Sequence, residues 1–304
     1  LGAPKLIKPE SYRWPTFLKL ENLMNIANQI AIIAILAIGM TMVIITGGID
    51  LSVGSLLALA AVVATWLIRE YGGAQEAGAV TMVAACAGAV MVTGLVGGMS
   101  GVLTTRFGLP PFIVTLAVML MASGLAYTIS ENQSIYQLPE SFIWLGRGAG
   151  PLGIPYAVLV MLGLYAAAHV VMSQTRVGRY FYAVGGNREA AHISGVPVGR
   201  VITVAYVVSG LLAGLGGVIM ASNLKSGSAT YGSMYELYVI AAVVVGGASL
   251  SGGKGHMANT LIGALTIAVI QNGMNLTNVE SQMQKVVLGG VILAAVLVDK
   301  VRRE

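Results

Sequence analysis

Nine apolar stretches, separated by short polar segments, constrain the fold of this chain more than any other feature of its sequence. Most approach the ~20 residues that an α-helix needs to cross a bilayer. The second, seventh and ninth are shorter, which is typical of tilted, broken or re-entrant helices. The pattern predicts an all-α protein, a polytopic bundle of about nine transmembrane helices. The stretches are residues 26–46, 53–68, 77–103, 112–129, 154–172, 201–221, 237–250, 257–276 and 286–298.

The composition supports a membrane protein. Only 10% of the residues are charged, against about 25% in an ordinary soluble domain. The 40 glycines lie mostly inside apolar runs, where small residues let membrane helices approach closely. The net charge of +5 is scattered through loops and does not indicate a nucleic acid partner. Cys86 is the single cysteine, so an intrachain disulfide and a CxxC metal site are excluded.

The distribution of basic residues predicts the topology. Alternating loops place nine Lys or Arg residues on one side and four on the other. By the positive-inside rule, the first side is cytoplasmic and includes the long loop 173–200 and the C-terminus. Basic residues before residue 20 do not fit nine spans, so we expect a further helix upstream and about ten spans in the complete subunit. Residues 1–21 are then an outer loop, and residues 22–304 form a single transmembrane domain.

Residues 47–54 and 246–253 match at five of eight positions. Internal repeats are common in transporters. Eight residues rich in Gly and Ser can also match by chance, so an internal repeat and a chance match both stay open.

The loop 173–200 contains the signals of a short amphipathic helix. Asn187 is a favourable N-cap, Glu189 in the first turn suits the helix dipole, and Gly195 can adopt the left-handed C-terminal conformation before Pro197. A helix of about two turns is marginal alone in water. We expect it either to dock on a partner through its Ala190–Ala191 face or to rest on the membrane surface.

The same loop resembles a known family. Glu189-Ala190-Ala191 followed by Gly195 is similar to the coupling motif of ABC importer permeases. The flanking segments 175–179, 184–191 and 194–198, with segments 45–55 and 227–237, resemble the ribose, galactose and xylose permeases. The similarity runs from Asn22 to the last helix, in the order of the family.

This resemblance implies the function and the partners. The chain is expected to be the permease subunit of a monosaccharide ABC importer, with a fold like that of type II importers, in a bacterial inner membrane. The implied partners are a cytoplasmic ATPase with two nucleotide-binding modules, a periplasmic sugar-binding protein, a second permease copy and the lipid bilayer. The implied coupling residues are Asn187, Arg188, Glu189, Ala190, Ala191, His192, Ser194 and Gly195.

No cofactor is expected on this chain, because its only Gly-Lys pair, Gly253-Lys254, lacks the following Ser or Thr of a Walker A motif. ATP and Mg²⁺ are expected on the partner ATPase. The chain is therefore expected to be a transport subunit and not an enzyme. Its three histidines form neither a close pair nor an HExxH motif, so no metal site is expected. A serine hydrolase is disfavoured because no oriented base accompanies the serines.

Several polar residues are candidates for the translocation path or its gate: Asp50, Ser52, Ser55, Tyr231, Glu236, Asn272 and Asn275. Asp50 lies between two apolar runs and either contacts the path or caps or hinges the helix after it. The two asparagines bind either solute or a neighbouring helix. Tyr231 and Glu236 suit an outer gate or an interfacial anchor. The alternative function is an ion-coupled secondary transporter, which needs intramembrane ionisable residues, and few besides Asp50 are present.

Overall fold

A computed structural model describes residues 17–150 and 153–301, with side chains described up to residue 297. Expectations for the N-terminal segment before residue 17 and for the basic side chains of the C-terminal tail lie outside these residues. The described part is all-α. Its helices are α1 (Leu20–Ile45), α2 (Val53–Tyr71), α3 (Ala79–Arg106), α4 (Pro111–Ile129), α5 (Trp144–Arg147), α6 (Tyr156–Gln174), α7 (Arg176–Gly186), α8 (Arg188–Ile193), α9 (Val198–Leu224), α10 (Tyr235–Val245), α11 (Met257–Leu276) and α12 (Ser281–Val301).

Each of the nine apolar stretches forms a helix, but fewer than nine qualify as membrane spans by length and composition. Within the described residues, seven helices are long and apolar enough, namely α1, α2, α3, α4, α6, α9 and α11. Helix α10 has 11 residues, which fits the prediction of a short or broken seventh element. The described part of α12, Ser281–Leu297, is also shorter than the 18 residues required of a span. The number nine is therefore not confirmed.

Helix α1 lies at the centre of the bundle. It is buried along almost its whole length from Ile30 to Ile45 and packs against α6, α9, α10 and α11. By contrast, α4 exposes large apolar side chains such as Leu120 and Leu125. Exposed apolar side chains along a long apolar helix are typical of a surface that contacts lipid or another subunit.

Close packing of α3 on α9 depends on glycine. A Cβ on Gly97 would overlap the carbonyl oxygen of Tyr206, and a Cβ on Gly101 would lie 2.6 Å from the Cα of Thr203. The absent side chains let the two backbones touch, which stabilises membrane helix pairs through van der Waals contact. The prediction that glycines inside the apolar runs permit close helix approach is confirmed at this interface.

Helices α2 and α10 both begin inside the bundle. Asp50, just before α2, accepts a hydrogen bond from Ser209, which is about 17 Å from the start of the 27-residue α9. After α9, the non-helical segment 225–234 runs back along α2, since Gly227 approaches Thr65 and Gly232 approaches Gly54. Helix α10 therefore starts level with the first turn of α2.

The repeated Gly-Gly turns have the same structure. The amides of Thr46, Gly47 and Gly48 donate to residues 42, 44 and 43, and those of Gly246, Gly247 and Ala248 donate to residues 242, 244 and 243. Gly47 and Gly247 both have positive φ. In the structure, each residue of the first turn corresponds to the residue 200 positions later in the chain. The sequence match pairs residues that are one position closer together. Both turns end a helix, α1 in one case and α10 in the other.

Candidate functional site

The predicted short helix is present as α8, at the end of the bundle where α1 and α10 end. The side chain of Asn187 accepts a hydrogen bond from the amide of Ala190 at 2.9 Å. Gly195 has φ +80°, and the amide of Val196 donates to the carbonyl of Ala191. The predicted N-cap and left-handed C-terminal glycine are confirmed, because both are local signals that the backbone of a short helix requires.

Sequence reasoning described the residues before Asn187 only as loop and missed helix α7. The side chain of Thr175 caps this helix by accepting from the amide of Gly178. Phe181 and Val184 are buried on one face, against the bundle. The cap and the spacing of these two apolar residues are the signals that could have predicted it.

Only part of the predicted Ala190–Ala191 face is available to a partner. Ala191 is 5% exposed because it packs into the hydrophobic core, whereas Ala190 is exposed. The largest apolar side chain presented outward on α8 is Ile193, which is 79% exposed. The exposed residues of α8 are therefore Arg188, Glu189, Ala190, His192 and Ile193, followed by the exposed C-cap Ser194.

Helices α7 and α8 are tied to the end of α1. The guanidinium of Arg188 donates to the carbonyl of Thr46 at 3.0 Å. A Cβ on Gly185 would overlap the carbonyl oxygen of Ile45, and that oxygen accepts from the amide of Gly253. These contacts join α7 and α8 to the turn that leads into segment 46–52 and α2.

Tyr182 of α7 adds a second tie, donating to the carbonyl of Gly255 at 2.8 Å. Burial raises the pKa of this phenol, so it remains a protonated donor.

A polar cluster around Asp50 anchors the start of α2. One carboxylate oxygen accepts from the amide of Ser52 at 3.0 Å and from its hydroxyl at 2.6 Å, and the other accepts from the hydroxyl of Ser209 at 2.7 Å. Neither Asp50 nor Ser52 accepts from a first-turn amide of α2, so helix capping, one of the two expected alternatives, is not what their side chains do. They hold α2 against α9 instead.

Three of the seven candidate path residues line one cavity. Ser55, Tyr231 and Glu236 lie in its wall, together with residues of α4 and of segment 225–234. The cavity has a volume of about 310 Å³ and lies where α2 and α10 begin. The polar residues that α4 contributes, Ser123 and Tyr127, were not singled out from the sequence, because no local motif marks them.

The two candidate asparagines lie elsewhere and bond to neighbouring residues. Asn272 and Asn22 exchange hydrogen bonds at 3.1 and 3.2 Å, joining α11 to α1. Asn275 accepts from the side chain of Gln284 at 2.9 Å. Both contacts correspond to the expected role of holding helices together, and contact with a solute stays a prediction.

At the end opposite α8, Lys225 is hydrogen-bonded and ion-paired to Glu140. The hydrogen bond and charge of Lys225 lower the pKa of the Glu140 carboxyl.

Within the described residues, no group of three or more His, Cys, Asp or Glu side chains could hold a metal ion. The polar groups that line the cavity can donate and accept hydrogen bonds.

These features define a polytopic helical membrane protein with a short helix on one surface and a polar cavity within the bundle. The family model described as "Branched-chain amino acid transport system / permease component" matches residues 22–296. The ribose import permease protein RbsC of Escherichia coli K12 is 43% identical over 94% of this chain and 87% of its own length. The D-allose transport system permease protein AlsC of the same strain is 36% identical, over 93% of this chain and 85% of its own.

The L-arabinose ABC transporter permease protein AraH of Azospirillum brasilense is also 36% identical, over 95% of this chain and 83% of its own length. No solved structure matches. The chain belongs to the branched-chain amino acid transport system / permease component family.

Proposed function

We propose that this chain is the membrane subunit of an ATP-driven, binding-protein-dependent importer that moves a monosaccharide across the inner membrane. Membership of the permease family supports the transport role, and relatives named for ribose, D-allose and L-arabinose support the solute class. Two copies form the path between them and alternate between outward-open and inward-open states. A partner ATPase with two nucleotide-binding modules binds ATP and Mg²⁺, and a periplasmic protein delivers the sugar.

The observation that carries the coupling role is the surface of α8. A capped helix of six residues that exposes Ile193 to 79% suits insertion into a partner groove. Its proposed contact residues are Asn187 to Ala190, His192, Ser194 and Gly195, together with Ile193, whereas Ala191 packs into the core and supports the helix from within. Arg188 and Gly185 then pass a movement of the ATPase to the end of α1, as their contacts with Thr46 and Ile45 indicate.

The proposed topology has nine spans in residues 22–304 and is like that of type II importers. Helices α10 and α12 span the membrane in addition to the seven longer helices. Helix α8 and the C-terminus lie in the cytoplasm. The positive-inside distribution supports this orientation, and the break before α10 accounts for its shortness. Segment 130–155 then lies outside, where the binding protein docks.

The experiment is co-purification of the ATPase with the Glu189→Lys variant. Reversal of charge on the exposed surface of α8 should abolish ATPase binding and leave membrane insertion intact. Glu131→Lys, which reverses an exposed charge at the opposite end, is the matched control and should retain the ATPase. Sugar uptake that persists with no ATPase bound would exclude an ABC importer.

A further inference from the structure

The cavity at the starts of α2 and α10 has the size and lining of a small-molecule site. Its volume of about 310 Å³ lies at the lower end of the range of about 300–1,000 Å³ for such sites. Helix α2, helix α4, segment 225–234 and α10 all contribute walls. The polar residues of the lining are Ser55, Ser123, Tyr127, Thr230, Tyr231, Ser233 and Glu236.

Glu236 is the charged group of this lining. Its Oε2 would lie 2.7 Å from a Cβ on Gly54, and the carbonyl oxygen of Gly232 would lie 2.5 Å from the same point. Glycine at position 54 thus lets α10 and the segment before it reach the first turn of α2. The ion pairs found among the described residues are Arg69–Glu70 and Lys225–Glu140, so no cation in this part of the chain pairs with Glu236.

The lining selects among classes of solute. It contains no Lys, Arg or His, so a phosphate or carboxylate on the solute would meet the Glu236 carboxylate without a compensating cation. A carboxylate accepts two hydrogen bonds from adjacent hydroxyls, and Ser, Thr and Tyr hydroxyls donate or accept as needed. Apolar side chains, including Met119 and Ala58, suit the C–H face of a ring. A neutral polyhydroxylated solute matches this combination.

We infer that the cavity is a binding site for a neutral monosaccharide on the permease itself, in which Glu236 accepts hydrogen bonds from two sugar hydroxyls. The inference deepens the proposed function and rests on it for the solute class. The site lies beside the first turns of α2 and α10, which both begin inside the bundle. A shift of α10 relative to α2 would therefore change the walls of the site. Sugar bound there contacts the elements that must move for passage.

The test is protection of introduced cysteines in the assembled transporter in proteoliposomes. Cys86→Ala removes the single native cysteine, and Ser123→Cys places a thiol in the cavity wall. Thr128→Cys, exposed on the same helix but not part of the lining, is the matched control. Ser233→Cys gives a second position, on segment 225–234. Labelling by a maleimide is measured with D-ribose, D-allose, L-arabinose, ribose 5-phosphate, L-leucine or putrescine present.

We expect a neutral sugar to slow labelling at residue 123 and residue 233 but not at residue 128. Glu236→Gln should raise the sugar concentration for half-protection about tenfold or more, because hydrogen bonds to a charged acceptor are the stronger ones. Glu76→Gln, at an exposed carboxylate outside the lining, should leave it unchanged. Better protection by L-leucine, putrescine or ribose 5-phosphate than by any sugar would overturn the inference, as would an unchanged half-protection concentration in Glu236→Gln.

The same proteoliposomes separate this inference from the proposed function. ATP-driven uptake of a sugar that protects neither cysteine refutes the cavity site and leaves the importer intact. Absence of ATP-driven uptake of every monosaccharide refutes the proposed function. The stability of each variant is compared with wild type, so that a folding defect is not counted as lost binding.

Discussion

Substitution of Asp50 distinguishes a hydrogen-bonding anchor from an ion-binding group. In Asp50→Asn the amide oxygen can still accept from the amide and hydroxyl of Ser52, and the amide nitrogen can donate to Ser209, whose hydroxyl rotates to accept. All three contacts survive with one reversed in direction. We expect the variant to insert, fold and transport at a rate close to that of wild type.

The magnitude follows from the donors left unsatisfied. Asp50→Asn replaces a charged acceptor by a neutral one and should cost about 1 kcal/mol or less of stability. Ser209→Ala removes one contact between helices and should cost about 0.6 kcal/mol and at most about 1.7 kcal/mol, the mean and the maximum measured for such contacts in a membrane bundle. Asp50→Leu leaves the amide of Ser52 without a partner, at about 1–3 kcal/mol, and also loses the Ser209 contact. Its total cost is therefore about 2–5 kcal/mol.

The assay has two parts. Unfolding in detergent gives the stability of Asp50→Asn, Ser209→Ala, Asp50→Leu and the double mutant that combines Ser209→Ala with Asp50→Leu. The double mutant measures the coupling of the two side chains, which should be about 0.5–2 kcal/mol for residues in contact. ATP-driven uptake in proteoliposomes, with and without an imposed proton or sodium gradient, gives the function.

The reasoning is refuted if Asp50→Asn is as stable as wild type and has lost all transport. Asp50 would then act through its charge, as the coupling residue of a secondary transporter does. Uptake that needs the ion gradient and not ATP would support the same alternative. Additive effects in the double mutant would show that Asp50 and Ser209 are not joined as the structure has them.

Three further predictions concern packing and charge. Gly185→Ala should displace α7 from α1, lower the free energy of unfolding by about 1–3 kcal/mol or more, and reduce co-purification of the ATPase. Gly186→Ala is the control and should behave as wild type, because the space around Gly186 is open. Gly97→Ala should destabilise the packing of α3 on α9 by a similar amount, which an unfolding experiment measures. Gly88→Ala is the control: its added Cβ would meet only an ordinary contact at 3.8 Å, so the change should be neutral or stabilising. Lys225→Met should raise the pKa of its glutamate partner toward about 4.3, seen by carbon NMR titration. Because the lysine lowers that pKa, any stability from the pair is present at neutral pH and is lost on acidification. An unchanged titration would show that the pair does not form in solution.

Local signals predicted helix α8 well. The N-cap at Asn187 and the positive φ of Gly195 depend on a few adjacent residues, so the sequence contains all the information they need. The burial of Ala191 could not be predicted in the same way, because it results from contact with distant parts of the bundle. Helix α7 was missed although Thr175 and Phe181 supply a cap and a buried face.

The candidate path residues illustrate the opposite case. Their polarity within apolar surroundings made them conspicuous, but polarity alone does not separate a cavity wall from a helix contact. Glu236 lines the cavity, whereas Asn272 bonds to Asn22, 250 residues away. The residue that completes the Asp50 cluster, Ser209, lies 159 residues from it, and no pattern in the sequence links the two.

The sequence by itself determined that this chain is a helical membrane protein with one capped surface helix, since apolar length, glycine content and capping residues act over a turn or a span. Only the tertiary structure decided that α2 and α10 begin inside the bundle and that Ser55, Ser123 and Glu236 share one cavity. The physical reason is the distance along the chain over which the deciding interactions act. Helix formation in a membrane is satisfied by hydrogen bonds within each segment, whereas a cavity depends on which of several similar apolar faces pack together.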